Sequence, residues 1–178
     1  EVGLSVVGLD TDEALRGKIN SGTMPFKEPY YDELIQRKSL HVSGDSSVIR
    51  DCRDIVITVG TPLHTHIETD LNQIRSVLES ILPWLRKGHL ICLRSTVAPG
   101  TTLFVKKWLE RHTDFQIGQD LFLTFCPERI AEGKAYEELR SLAQIIGASD
   151  DVSGQRAEAI FSKLAPELFH TDYVSAEL

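Results

Sequence analysis

The sequence has 178 residues, of which 42% are hydrophobic and 25% charged, the composition of an ordinary soluble globular domain. The formal net charge of -7 argues against a nucleic-acid partner or an anionic membrane surface, because both favour basic proteins. No apolar run approaches the roughly 20 residues of a membrane span. The three cysteines, an odd number without a C-x-x-C pair, favour a reducing cytoplasmic location over a disulfide framework or a zinc site.

The hydrophobic pattern alternates between strands and helices along the chain. Short β-branched or continuously apolar runs predict strands at residues 4–10, 41–43, 54–59, 89–93, 120–125, 143–146 and 168–170. Amphipathic or capped segments predict helices at residues 11–20, 30–37, 46–50, 70–85, 101–112 and 153–164. We expect Gly22 to end the first helix and Pro83 to distort the last turn of the fourth. The alternation predicts a doubly wound, mostly parallel α/β sheet.

Ligands of such sheets bind at the carboxyl ends of the strands. Asp10 ends the first predicted strand, where a carboxylate can accept hydrogen bonds from both hydroxyls of an adenosine ribose. It also favours NAD over NADP, because it repels a 2′-phosphate. The alternative is that Asp10 caps the helix starting at Thr11. The glycine-rich turn that would decide the matter normally lies about 20 residues before the acid, and the sequence does not contain it there.

The loop after the third predicted strand is Val59-Gly60-Thr61-Pro62-Leu63. The hydroxyl and the backbone N–H of Thr61 suit a cofactor phosphate or ribose, and an ordinary turn is the alternative. His64 and His66 have the spacing of metal ligands, but no cysteine or third histidine joins them. We therefore expect no metal site.

The next loop, residues 94–102, collects hydroxyl groups where a strand passes into a helix. Ser95 lacks the flanking glycines of a nucleophile elbow, so it is not expected to act as a nucleophile. The functional interpretation is a polar platform beneath a cofactor or substrate. The alternative is capping of the helix by Thr101 or Thr102, and both can hold.

Two carboxylates, Glu128 and Glu132, follow the fifth predicted strand. If the residues between them turn helically, both face the same way and suit general acid/base work or the fixing of a water. The alternative is a solvated turn in which Arg129 and Lys134 balance the charge. Cys126 invites a catalytic-thiol interpretation, but its place beside a buried strand favours a packing role.

Together these loops resemble the UDP-glucose/GDP-mannose dehydrogenases, the NAD-dependent oxidases of nucleotide sugars. The motifs that carry the resemblance, in the family's order, are Val6-Val7-Gly8-Leu9-Asp10, Glu28-Pro29, Val59-Gly60-Thr61-Pro62-Leu63, Ser95-Thr96-Val97-Ala98-Pro99-Gly100-Thr101-Thr102 and Cys126-Pro127-Glu128-Arg129 with Glu132-Gly133-Lys134-Ala135. The resemblance implies that residues 1–174 form a Rossmann-like NAD-binding domain. Residues 175–178 would begin the central dimerisation helix.

The resemblance implies a four-electron oxidation of the C6 primary alcohol of a UDP-sugar to a carboxylate, with two NAD⁺ consumed. In the family, a cysteine of the carboxyl-terminal half carries a thiohemiacetal and then a thioester, which water hydrolyses. UDP-N-acetylmannosamine is favoured as the sugar and UDP-glucose comes next, because Arg129 stands where UDP-glucose enzymes more often carry Phe. A homodimer or higher homo-oligomer is expected for the full-length enzyme.

Residue roles are implied by motif match. Asp10 would hold the adenosine ribose, the Thr96 hydroxyl would also hold a catalytic water, and Glu128 would serve acid/base and water-activating chemistry. Glu132 would lie between the nicotinamide and the substrate. The remaining implied cofactor contacts are Val59, Thr61, Pro62, Ser95 and Val97. The implied wall of the sugar pocket is Glu128, Arg129, Ile130, Ala131 and Glu132.

The departures from the family matter as much. Its first strand, Gly-rich loop and first helix find no match in this sequence, and neither do its catalytic Lys, Asn and Cys. We therefore expect a segment of a longer enzyme without turnover of its own. The predicted strands 4–10 and 54–59 would lose a ladder partner between them and expose apolar edges. Two alternatives stay open: an NAD(P)-dependent dehydrogenase of the 3-hydroxyacid or 6-phosphogluconate type, and a non-catalytic nucleotide-binding module.

Overall fold

A computed structural model describes residues 2–37, 40–59 and 71–178 of the chain. The strands are β1 (Val7–Leu9), β2 (His41–Ser43), β3 (Asp54–Ile57), β4 (Leu90–Leu93), β5 (Phe122–Phe125), β6 (Gln144–Ala148) and β7 (Leu168–Thr171). The helices are α1 (Glu13–Ser21), α2 (Tyr31–Gln36), α3 (Asn72–Ile81), α4 (Thr101–His112), α5 (Ala135–Ser141), α6 (Asp151–Phe161) and α7 (Tyr173–Glu177). Two 3₁₀ turns cover Ser46–Asp51 and Leu82–Trp84.

The strands form two sheets. Strands β1 and β2 pair in parallel, and the other five form one sheet in the order β3-β4-β5-β6-β7. Neighbouring strands run parallel throughout this larger sheet, except that β6 runs antiparallel to β5. The predicted α/β class with a mostly parallel sheet is therefore confirmed. The reversal at β6 was not expected from the sequence.

Strands β1 and β3 each keep one unpaired edge among the described residues, since β1 pairs with β2 and β3 with β4. Apolar side chains on these strands stay accessible: Val7 is 36% exposed, Leu9 37% and Val56 43%. The expectation that these two strands expose apolar surface is confirmed. An unpaired, apolar strand edge favours association with another strand.

Local sequence explains how several helices begin and end. The carboxylate of Asp12 accepts a hydrogen bond from the N–H of Leu15 at 3.0 Å and caps α1. The alternative in which Asp10 caps this helix is therefore wrong. Gly22 ends α1 in the left-handed conformation, at φ 85°, as predicted. Pro83 stands in the 3₁₀ turn that follows α3, which confirms the expected distortion.

Helix α5 was not predicted from the sequence, and helix α7 begins earlier than predicted. Helix α5 has the sequence AYEELRS, too polar and short for a clear amphipathic pattern. Helix α7 begins at Tyr173 rather than at Ser175, because Asp172 is its N-cap and accepts a hydrogen bond from the N–H of Ser175 at 3.0 Å.

The core lies on both faces of the larger sheet, and strand β4 is buried along its whole length. One face packs against α3 and α4, through side chains such as Leu78 and Leu109. The opposite face packs against α6, where Cys92 and Cys126 contact Ala157 and Phe161 in a smaller cluster. Continuous burial on both faces explains the unbroken apolar runs of the sequence. Among the described helices, none combines the length and apolarity needed to cross a membrane.

Helix α7 docks closely on strands β5 and β6 despite its five residues. The hydroxyl of Tyr173 donates to the carbonyl of Leu123 at 3.0 Å. A Cβ atom added to Gly147 would lie 2.6 Å from the Cβ of Ala176, so only glycine allows this approach of helix to sheet. The docked helix brings its last residue, Glu177, to the start of α4.

Buried His89 should make stability depend on pH. Its Nδ1 accepts a hydrogen bond from the N–H of Arg86 at 3.1 Å, and burial lowers the pKa of His89 below its usual value. As the pH falls below about 6.5, His89 therefore becomes protonated in the unfolded chain while it stays neutral in the folded chain. We expect the free energy of unfolding to fall from that pH down to the lowered pKa of the folded state.

Urea titrations between pH 7.5 and 5 measure this loss. His89→Gln, which keeps an acceptor for Arg86, should flatten the profile, whereas the substitution His41→Gln, at an exposed position on strand β2, should leave the profile as in the wild-type chain. A parallel loss of stability with falling pH in the His89→Gln and wild-type chains would contradict the assignment.

Candidate functional site

Strands β3, β4 and β5 end at one edge of the sheet. Ile57, Leu93 and Phe125, the last residues of these strands, are register partners across the sheet. The pairing continues past the strands: the N–H of Arg94 donates to the carbonyl of Ile57 at 3.0 Å, and the N–H of Glu128 donates to the carbonyl of Arg94 at 2.9 Å. The carboxylate-bearing loop after β5 therefore lies directly beside the hydroxyl-bearing loop after β4.

Of the cofactor residues predicted after β3, only Val59 lies within the described residues. Val59 is half-buried beyond β3 and packs against the core cluster. Thr61 and Pro62, like His64 and His66, lie outside the described residues. Elsewhere in the described ranges, no three His, Cys, Asp or Glu side chains form a metal-binding group.

The loop after β4 has both accessible polar residues and a residue that is buried in the core. Ser95 is half-buried and Thr96 is exposed, so both can meet a ligand at the sheet edge. Val97 is 8% exposed and belongs to the main hydrophobic cluster. Any contact of Val97 with a ligand must therefore come mainly from its backbone.

The start of α4 is capped by a carboxylate that is distant in sequence. Glu177 accepts hydrogen bonds from the N–H of Gly100 at 2.5 Å, the N–H of Thr102 at 2.7 Å and the hydroxyl of Thr102 at 2.6 Å. The hydroxyl of Thr101 donates to the carbonyl of Ala98 at 2.7 Å. Neither threonine hydroxyl accepts from the helix, so the predicted capping by Thr101 or Thr102 is wrong.

Cys126 is a packing residue in this structure. Its side chain is fully buried beside Cys92, and the hydrogen bond with Cys92, together with burial, raises the pKa of the Cys126 thiol. A thiol with a raised pKa carries little thiolate, the nucleophilic form. The packing interpretation of the sequence is therefore supported, and the catalytic-thiol interpretation is not.

Two polar side chains that the sequence did not single out brace the start of the loop after β5. The guanidinium of Arg94 donates to the carbonyl of Cys126 at 3.2 Å and to Oε1 of Gln144 at 2.9 Å, and lies 5.0 Å from the ring centre of Phe161. Nε2 of Gln144 donates to the carbonyl of Pro127 at 3.1 Å. Gln144 is 7% exposed, so water competes little for these bonds.

Glu128 and Glu132 are both exposed, but they do not share a helical face. The described backbone from residue 127 to 131 is irregular, residues 132–133 form a turn, and α5 begins only at Ala135. The carboxylate of Glu128 accepts a hydrogen bond from the N–H of Ile130. The predicted helical turn between the two acids is therefore wrong, because this local bond bends the chain instead.

The remaining residues of the predicted sugar-pocket wall contact other parts of the domain. Arg129 donates to the carbonyl of Ala143 and, with Ile130, lines a small cavity against α5 and α6. The N–H of Ala131 donates to the carboxylate of Glu138 at 2.8 Å. Arg129 and Ile130 therefore help to fix the loop on the sheet.

Asp10 stands half-buried at the carboxyl end of β1. Its Oδ1 accepts a hydrogen bond from the N–H of Asp12 at 2.8 Å, and its carbonyl accepts one from the guanidinium of Arg16 at 2.9 Å. Because Asp12 caps α1, the carboxylate of Asp10 is not used for capping. The carboxylate is instead held at the end of β1 by this local hydrogen bond.

The fold and this loop edge are those of a dinucleotide-binding domain. The chain belongs to the UDP-glucose/GDP-mannose dehydrogenase family, whose NAD binding domain matches residues 1–165. The resemblance carried by the sequence motifs is thus confirmed, and the match favours this family over the 3-hydroxyacid and 6-phosphogluconate dehydrogenases.

Several members of this family resemble the chain along nearly its whole length. The chain is 29% identical to the UDP-N-acetyl-D-mannosamine dehydrogenase of Pyrococcus horikoshii over 181 residues, which cover 99% of this chain and 43% of that protein. A solved structure of the P. horikoshii enzyme superposes with a TM-score of 0.94 at 28% identity, over 99% of this chain and 43% of the other. The GDP-mannose dehydrogenase of Pseudomonas aeruginosa gives 0.91 at 28% identity, over 98% and 42%. The chain thus spans less than half the length of these relatives.

Gln144 should be essential to the stability of the loop. Gln144→Met keeps the side-chain length but leaves the Pro127 carbonyl and one donor of Arg94 without this partner. We expect the free energy of unfolding to fall by about 1–3 kcal/mol, the usual cost of an unsatisfied buried polar group. Urea unfolding measures this, with Gln119→Met on an exposed turn as the matched control. Equal stability of the two variants would contradict the bracing role.

Proposed function

We propose that this chain supplies the NAD⁺-binding half of a UDP-sugar 6-dehydrogenase. The observation that carries the proposal is the single sheet edge at which β3, β4 and β5 all end, in a chain of this family. UDP-N-acetylmannosamine is the favoured sugar, because several relatives are named for it and Arg129 follows Pro127-Glu128 here. UDP-glucose is the next candidate.

The cofactor roles in this proposal are those that the motif match implies. Asp10 binds the adenosine ribose through its carboxylate, and Val59 contacts the cofactor beyond β3 together with Thr61 and Pro62. Ser95, Thr96 and the backbone of Val97 contact it beyond β4. Glu132 lies between the nicotinamide and the substrate, as its exposed place after the β5 loop allows.

When held by these residues, NAD⁺ would supply hydride acceptance from C6 of the sugar, one molecule for each of the two oxidations. This chain contributes proton transfer and the placement of water. The carboxylate of Glu128 takes a proton from the water that hydrolyses the thioester, and the hydroxyl of Thr96 holds that water. The N–H of Glu128 donates to the carbonyl of Arg94, two residues before Thr96, so the two side chains belong to adjacent loops.

The sugar occupies the space bounded by the exposed loop from Glu128 to Glu132, which includes Arg129, Ile130 and Ala131. The whole enzyme works as a homodimer or higher homo-oligomer. A cytoplasmic location is supported by the three cysteines, Cys52, Cys92 and Cys126, all of which carry free thiols. The chain has neither a nucleic-acid nor a membrane partner, in keeping with its net charge of -7.

The role of Asp10 predicts cofactor discrimination. In an intact dehydrogenase that contains this segment, Asp10→Asn should weaken NAD⁺ binding by about tenfold, through loss of charge-assisted hydrogen bonds to the ribose, and should reduce the preference over NADP⁺. Isothermal titration with both dinucleotides measures the two dissociation constants. Asp12→Asn is the control, because asparagine still caps α1. An unchanged NAD⁺/NADP⁺ ratio in Asp10→Asn would reject the role.

The role of Glu128 predicts a loss of turnover. Glu128→Gln in the same enzyme should lower kcat by about 100-fold or more, the usual contribution of a general acid/base, while NAD⁺ binds with unchanged affinity. NADH formation with UDP-N-acetylmannosamine and UDP-glucose measures this, and Glu137→Gln on α5 is the control. Unchanged turnover would remove Glu128 from the chemistry. If the wild-type enzyme binds NAD⁺ but forms no NADH with either sugar, the result would favour the alternative of a non-catalytic nucleotide-binding module.

A further inference from the structure

A carboxylate from the loop before α2 holds the start of α5, more than a hundred residues later in the chain. Oε1 of Glu28 accepts a hydrogen bond from the N–H of Ala135 at 2.9 Å, and Oε2 accepts one from the N–H of Gly133 at 3.1 Å. Lys134, the N-cap residue of α5, makes no side-chain capping hydrogen bond. Glu28 therefore provides from a distance the cap that the local sequence lacks.

The chain around Glu28 is shaped for this contact. Pro29 restricts the residue before it to an extended backbone. Tyr30 has φ 68°, and among the described residues it is the one non-glycine with a left-handed backbone. Its ring lies 4.9 Å from the ring of Tyr136 on α5, centre to centre, and the guanidinium of Arg140 lies 4.5 Å from the same Tyr136 ring. A strained backbone is thus held by contacts with the helix that Glu28 caps.

The contacts of Glu28 lie at the end of the loop that carries Glu128 and Glu132. The loop is fixed at its start by Arg94 and Gln144. It is fixed at its end by Glu28, which holds the N–H of Gly133, the residue directly after Glu132. Gly133 has φ 81°, so the chain reverses at the held position. The direction in which Glu132 projects depends on this anchor.

We propose that Glu28 is a positioning residue for the acid loop: its carboxylate fixes Gly133 and the start of α5, and thereby the placement of Glu132 and Glu128 at the sheet edge. The catalytic part of this proposal rests on the proposed function above. The anchoring part does not, since it concerns contacts within this chain.

Amide hydrogen exchange of the 178-residue chain tests the anchoring. Glu28→Ala removes both acceptors, and we expect the amides of Gly133 and Ala135 to exchange about tenfold faster or more, through local opening of the loop end. Glu28→Gln keeps one carbonyl acceptor and should give an intermediate rate. Glu33→Gln, an exposed carboxylate on the neighbouring helix α2, is the control. Unchanged exchange at both amides in Glu28→Ala and Glu28→Gln overturns the proposal.

Steady-state kinetics of an intact dehydrogenase that contains this segment test the positioning. Glu28→Ala should lower kcat by about tenfold without changing the KM for NAD⁺, because misplacement of reacting groups slows the chemical step. Glu28→Gln should restore part of the loss. A lower melting temperature with unchanged kcat would show a structural cap alone and overturn the positioning role. Absence of NADH formation by the wild-type enzyme would instead reject the proposed function, and the exchange rates would then decide the anchoring by themselves.

Discussion

The hydrogen-bond ladder of strand β4 is the constraint on which the site depends. Leu93 is the register partner of both Ile57 and Phe125, and the whole strand is buried on its two faces. A one-residue slip would turn its buried side chains to the opposite faces, so the register is strongly fixed. Because the three strand ends are level, Val59, Ser95 and Glu128 follow strands that end at the same edge.

Beyond that ladder, a few polar side chains join parts of the chain that are far apart in sequence. Arg94 and Gln144 tie the loop after β5 to the strands on either side, Glu28 ties the end of that loop to the segment before α2, and Glu177 ties α7 to the start of α4. Each satisfies backbone groups that the local sequence leaves without partners. The loops around the site are thus held by side chains as well as by strand pairing.

Much of this fold could be predicted from the sequence, because periodic burial leaves a local signal. The bounds of β2 and α4 agree with the predicted ranges 41–43 and 101–112. The reversed direction of β6 could not be read, since an apolar run looks the same in either direction. Helix α5 was missed because its cap, Glu28, is distant in sequence.

The candidate site, too, could be predicted from the sequence only in part. The order of the loops, together with the rule that parallel strands end at a common edge, suffices to predict that Ser95, Thr96 and Glu128 lie on one edge of the sheet. The bend at Glu128 was not foreseen, because one carboxylate bond to Ile130 redirects the chain. Arg94 and Gln144 carry no motif, and their role depends on a register between β4 and β6 that only the folded sheet defines.

The capping of α4 has a consequence for how a negatively charged dinucleotide must lie. A helix N-terminus normally attracts a phosphate through its unpaired N–H groups and the positive end of its dipole. At α4 the N–H groups of Gly100 and Thr102 already face the carboxylate of Glu177, so that pole is neutralised from within. A diphosphate brought close to it would meet a negative charge. The start of α4 is therefore unsuited to hold a diphosphate, whose charge would have to be balanced elsewhere.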